Sequence, residues 1–240
     1  MQKADIIAQL QRDILPLQGY KSSLHSEYLD VGLGPIKHAF PSSVFPLGAV
    51  HEFFCHRAEE AAASSGFIAG ILSSLIQGDG AALWIGSSGT IFPPALKAFG
   101  IDPDKIIFLT QKNEKHLIWA TEEALKCGSL AAVVSEVSDI SFTASRRFQL
   151  AVEQSGVTSL VLRRNPRNLT TACISRWRIT PLASEAEEGL PGIGHARWNV
   201  ELLKVRNGKP GIWQVEWKGG QFRVVYKPIS FVRAVHRKAG

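Results

Sequence analysis

Five apolar runs, separated by stretches of helical periodicity, constrain this chain more than any other feature. They are "AVHEFF" (49–54), "AALWIG" (81–86), "KIIFLT" (105–110), "LAAVVSE" (130–136) and "VTSLVLRR" (157–164). Each is apolar over most of its length rather than alternating, as in strands buried on both faces. Helices are expected between them at 64–77, 93–99, 114–128 and 142–156. The third takes a buried stripe of Leu117, Trp119, Ala120, Ala124, Leu125 and Cys127, closed by Gly128. The fourth has Thr143 as its predicted N-cap and ends at Gly156. Strands alternating with helices predict an α/β fold, a mostly parallel sheet covered on both faces.

Beyond residue 165 the helical pattern stops. "ACISRWRIT" (172–180) alternates like a strand, and 183–196 read as an exposed loop. "RWNVELLKVRNG", "GIWQVEWKG" and "QFRVVYK" follow as strands joined by the turns "NGKPG" and "GG". They are expected to extend the same sheet in antiparallel fashion. At the other end, residues 3–15 place Ile6, Ile7, Leu10 and Ile14 on one helical face, ended by Pro16 and Gly19. This divides the chain into an N-terminal helix and linker (1–31), a main domain (32–226) and a basic tail (227–240). The helix face and the tail residues Phe231, Val232 and Arg233 are candidate partner-binding surfaces.

The 240 residues carry a net charge of +6, which leaves an acidic partner open. The charge is concentrated at the end. Residues 201–240 hold nine Lys or Arg against Glu201 and Glu216. Lys204, Arg206, Lys218, Arg223 and Lys227 are candidate DNA contacts, with Trp213, Trp217, Phe222 and Tyr226 available to stack on bases. The alternative is an amphipathic sheet with its aromatics in the core. Three cysteines without C-x-x-C spacing fit a reducing cytoplasm. "MQKADIIAQLQRDI" is polar within its apolar pattern, so a signal peptide is not expected. In "HEFFCH" the histidines His51 and His56 are five apart on a strand, the wrong spacing for a zinc helix, and read as structural. Ser87 in "IGSSGT" lacks the spacing of a nucleophile elbow. No metal or cofactor is expected.

One stretch invites a nucleotide. "HRAEEAAASSGFIAGIL" (56–72) lies between a strand and a helix, the frame of a phosphate-binding loop. Such a loop needs glycines, a Lys for the outer phosphates and a Ser/Thr for Mg²⁺. Here Arg57 is the single cation between His51 and Gly80, and Glu59 and Glu60 stand where anions would arrive. Two like charges about 4 Å apart repel by about 4 kcal/mol at an effective dielectric near 20. The residues therefore disfavour ATP.

The order "FPLGAVHEFF", "SSGFIAGIL", "GAALWIG", "ATEEALKCGSLAAVVSEV", "TASRRFQLAVEQSGVTSLVLRR" and "RWNVELLKVRNGKPGIWQVEW" resembles the ImuA family, over about residues 30–226. The resemblance implies a RecA-like three-layer core, with kinship to the cell-division inhibitor SulA. It implies a non-catalytic accessory role in DNA-damage-induced (SOS) translesion synthesis. The partners implied are an ImuB-type Y-family polymerase homologue and an error-prone replicative-type polymerase, with RecA, DNA and self-association left open. Against the RecA phosphate loop, Ser64, Ser65 and Gly66 match, while Phe67 stands for the Lys and Ile68 for the Thr. Ser88 stands near the catalytic Glu position, and Ser135 or Glu136 at the metal-binding Asp. The two DNA-binding loops correspond to short segments at 138–142 and 165–171. The expectation is a pseudo-ATPase scaffold. A single-stranded DNA-binding module and a SulA-like inhibitor of the division protein FtsZ remain alternatives.

Overall fold

The computed structural model describes residues 29–78, 80–87, 91–167, 169–184 and 194–225. Within them, nine strands form one sheet in the order β3-β2-β4-β5-β1-β6-β7-β8-β9. The strands are β1 (Val50–Cys55), β2 (Ala81–Gly86), β3 (Ile106–Thr110), β4 (Leu130–Val137) and β5 (Thr158–Arg164). They continue as β6 (Ser175–Leu182), β7 (Arg197–Val205), β8 (Gly211–Lys218) and β9 (Gln221–Val224). The helices are α1 (Ala58–Leu75), α2 (Glu114–Leu125) and α3 (Phe142–Ser155). From β3 to β6 every pairing is parallel, and from β6 to β9 every pairing is antiparallel. This is the RecA-like three-layer arrangement, a mostly parallel sheet with an antiparallel C-terminal extension. The "ACISRWRIT" strand begins at Ser175 rather than Ala172 and pairs parallel to β1, and β7, β8 and β9 form the antiparallel extension.

α1 covers one face of the sheet. Phe67, Ile68, Ile71 and Leu72 are fully buried there among Phe53, Leu160, Leu162 and Trp177. Burying a side chain such as Phe67 contributes roughly 1.5–3 kcal/mol. α2 and α3 cover the other face through Leu117, Leu125, Phe148 and Val152, which pack with Ile85, Val133 and Val161. Ser141, not Thr143, caps α3: its hydroxyl accepts from the Ala144 N–H at 3.1 Å. Gly156 ends that helix at φ 81°, a left-handed conformation that glycine adopts without a Cβ clash.

Two helix-stripe and coverage expectations fail. Trp119 is 62% exposed and Cys127 is exposed, because α2 turns only Leu117, Thr121 and Leu125 fully inward. β3 is an edge strand beyond the reach of α2, so Ile107, Phe108 and Leu109 stay exposed despite their apolarity.

The antiparallel strands bend onto α1. Trp198, Val200, Val215, Trp217 and Phe222 join the same core as Phe67. Phe67 sits 4.5 Å from the Phe222 ring, 5.9 Å from Trp177 and 6.2 Å from Trp198. The approach requires Gly70: a Cβ there would meet the Phe222 ring at 2.4 Å. β8 and β9 are joined by Gly219 and Gly220, at φ 62° and 74°, a two-residue turn of the kind that matches strand twist. Trp198, Trp217 and Phe222 thus face the core. His51 is also structural. Its Nε2 donates to the Pro46 carbonyl at 2.8 Å and its Nδ1 lies 2.6 Å from the Ser175 hydroxyl. Burial pulls its pKa down to about 4, outweighing the Pro46 bond, so the ring is neutral at physiological pH.

Candidate functional site

The nucleotide frame sits where β1 passes into α1. The strand ends at Cys55 and the helix begins at Ala58, leaving a connection of His56 and Arg57. Ser64, Ser65 and Gly66 are therefore not at the helix start but well inside α1, more than a turn from its first residue. The run "AEEAAASSG" looks like a loop because it is small and polar, yet Ala and Glu are strong helix formers, and acids in the first turn suit the helix dipole. Phe67 and Ile68 lie deeper still, fully buried. A glycine-rich loop that wraps a phosphate needs several residues between strand and helix, and two do not suffice.

A carboxylate stands against the helix start. Glu60 is 1% exposed, and its Oε2 accepts from the His56 N–H at 2.9 Å. Its Oε1 accepts from the Arg57 guanidinium and from Arg178, both at 3.3 Å. Burial works to raise this carboxyl, but the His56 N–H, Arg178 and Arg57 prevail and hold it below the usual carboxylate value. Nearby, Glu136 accepts from Trp84 Nε1 at 2.9 Å and from Arg164 at 2.6 Å. A carboxylate committed to an indole and a guanidinium in this way is a structural ion pair in form. Ser135 is fully buried, its hydroxyl without a hydrogen-bond partner. Ser88 lies outside the described residues. Among those residues no cluster of three His, Cys, Asp or Glu gathers to hold a metal ion.

On the opposite face of the same strand ends lies a buried charge network that the sequence pattern did not single out. Glu52 and Arg163 are both fully buried and paired at 3.3 Å. Arg176 Nε donates to the other Glu52 oxygen at 3.1 Å. The two guanidinium groups flank the Phe54 ring at 5.0 and 4.8 Å, an arrangement favoured by the ring quadrupole. Arg163 also bonds Asp139, in the short segment between β4 and α3. Arg176 reaches the Leu169 carbonyl at 2.7 Å and the Thr171 hydroxyl at 3.0 Å, in the segment between β5 and β6. Both short segments matched to DNA-binding loops are thus tied to the sheet by charge. The available signal was an acid inside an apolar strand, Glu52, and an arginine inside another, Arg163.

The candidate DNA contacts divide. Lys204 and Arg206 lie where β7 ends, near the Thr171 and Ala172 carbonyls. Lys218 and Arg223 belong to the opposite end, where Arg223 pairs in register with Glu216, itself opposite Arg197. The seven steps from Arg197 to Lys204 span about 23 Å at strand rise. These cations do not form one patch. Lys227, the helix-face residues Ile6, Ile7, Leu10 and Ile14, and Phe231, Val232 and Arg233 lie outside the described residues. No described helix is long and apolar enough to cross a membrane.

The fold defines a RecA-like α/β protein, with a two-residue connection between β1 and α1 and with Phe67 and Ile68 buried in its core. No protein-family model matches the chain. Two curated relatives do, both Protein ImuA, from Caulobacter vibrioides strains NA1000 / CB15N and ATCC 19089 / CIP 103742 / CB 15. Each is 32% identical over 198 residues, covering 77% of this chain and 81% of the relative. The chain belongs to the ImuA family.

Proposed function

We propose that this protein is a non-catalytic accessory subunit of a DNA-damage-induced translesion synthesis complex, a RecA-like scaffold without ATPase chemistry. The observation that carries the reading is the two-residue β1–α1 connection with Glu60 against the helix start. It leaves neither a loop to wrap a phosphate nor the Lys and Ser/Thr that ATP hydrolysis uses. The family supports the role in mutagenesis. The partner is an ImuB-type Y-family polymerase homologue, acting beside an error-prone replicative-type polymerase in the cytoplasm.

Two measurements test the reading. ATP with Mg²⁺ at millimolar concentration is expected to leave thermal unfolding unchanged and to stay unhydrolysed. A saturable rise in unfolding temperature would overturn the non-catalytic part. Purified protein is expected to bind an ImuB-type homologue in a pull-down. Failure with a folded homologue would overturn the scaffold part.

A further inference from the structure

β3 ends the sheet on the side opposite β9. Its sequence, "IIFLT", carries no charge, proline or bulge, the devices by which edge strands are usually kept from pairing. Ile107, Phe108 and Leu109 are 56%, 40% and 41% exposed. The backbone of this edge is open in a definite pattern. Gln111 N–H donates to the Gly86 carbonyl on β2 at 2.9 Å. By alternation Leu109 and Ile107 also turn their N–H and C=O groups to β2. Ile106, Phe108 and Thr110 turn theirs outward, where no strand among the described residues takes them.

The charges beside the strand are arranged in opposition. Asp104 lies two residues before β3 and Lys112 two residues after it, so both are four residues from Phe108. Both are exposed, and neither has an ion-pair partner among the described residues. Their charged neighbours are engaged elsewhere. Asp102 accepts the Asp104 N–H at 3.4 Å, Lys105 donates to the Gly78 carbonyl, and Glu114 accepts the Ser138 N–H at 2.6 Å. The edge is thus negative where it begins and positive where it ends. A strand carrying the same two charges in reverse direction complements it, and a second copy of this chain is such a strand.

We propose that β3 pairs antiparallel with β3 of a second copy about a twofold axis at Phe108, joining two sheets into one. Phe108 then faces Phe108 of the second copy in a hydrogen-bonded pair, and Ile106 faces Thr110 in another. Ile107 faces Leu109 in the closer, non-bonded pairs. Phe108 lies beside Trp84 on the α1 face, and Ile107 and Leu109 lie beside Leu83 and Ile85 on the α2 face. Each exposed apolar side chain therefore gains an apolar cross-strand neighbour. Asp104 comes opposite Lys112 at both ends. The contact uses the same surface on both copies, so it closes at two and does not grow into a fibre. This inference does not depend on the accessory-subunit reading.

Sedimentation equilibrium of the full chain over about 1–100 μM tests it. A dimer is expected. Phe108→Lys sets two ammonium groups face to face and is expected to weaken dimerisation about tenfold or more. Asp104→Lys and Lys112→Asp, each an exposed change that leaves the core untouched, are expected to weaken it singly. The double variant Asp104→Lys/Lys112→Asp is expected to restore it. A wild-type chain that stays monomeric throughout this range would overturn the proposal. So would a dimer that is indifferent to Phe108→Lys, which places the contact elsewhere, or a double variant no tighter than either single one.

Discussion

The two faces of the sheet at the C-terminal ends of its parallel strands are filled in different ways. Toward α1, Phe67 packs into the apolar core and Glu60 is a carboxylate held by one backbone N–H and two partly exposed arginines. Toward α3, the packing is charged, with fully buried Glu52 between fully buried Arg163 and the nearly buried Arg176. The first face is expected to tolerate loss of a single polar partner, because water reaches the arginines. The second is not, because removing one charge strands its partners in low dielectric.

The sharpest break of this comparison is Phe67→Lys, which restores the residue type of a phosphate loop. The ammonium would be buried among Trp177, Trp198 and Phe222, so a loss of about 4–5 kcal/mol or more is expected, with no gain of ATP binding. Chemical denaturation and a nucleotide titration of any folded fraction would check both parts. Glu52→Gln comes next. It leaves two buried guanidinium groups facing a neutral amide, and about 3–5 kcal/mol should be lost in urea unfolding. Glu60→Gln is the mildest, at about 1–2 kcal/mol, since only a charge-assisted part of its hydrogen bonding goes. Its pH dependence is signed. Because the folded carboxyl is held below its unfolded value of about 4.3, its contribution is full above that pH and is lost as pH falls through the lower folded value. The stability gap between wild type and Glu60→Gln should therefore close in acid. A gap that persists below the folded value would show that Glu60 acts by shape rather than charge.

Much of the architecture was legible. The apolar runs located β1–β5 and the later alternation located β7–β9, because strand burial writes its period directly into residue type. The helix start was misplaced because small residues are ambiguous: "AEEAAASSG" serves equally as loop or helix until the strand before it ends. Trp119 was misassigned because helical periodicity reports which residues share a face and not which face meets the sheet. Of the candidate site, only the residue types were legible, with Phe67 standing where a phosphate loop carries Lys. Its actual contents were not, because Glu60 and Arg178 meet across 118 residues of chain, and Glu52 and Arg176 across 124.

The sequence by itself determined the α/β class, the antiparallel extension and the absence of Gly-Lys-Ser/Thr from residues 56–72. Each follows from local patterns: apolar period, turn residues, and the residue types that phosphate chemistry requires. Only the tertiary structure decided that the β1–α1 connection is two residues long, that Glu52 bridges two arginines, and that the basic residues of the C-terminal strands fall at opposite ends. Those facts depend on which distant segments pair, and pairing is fixed by sheet register and packing rather than by any local run of residues.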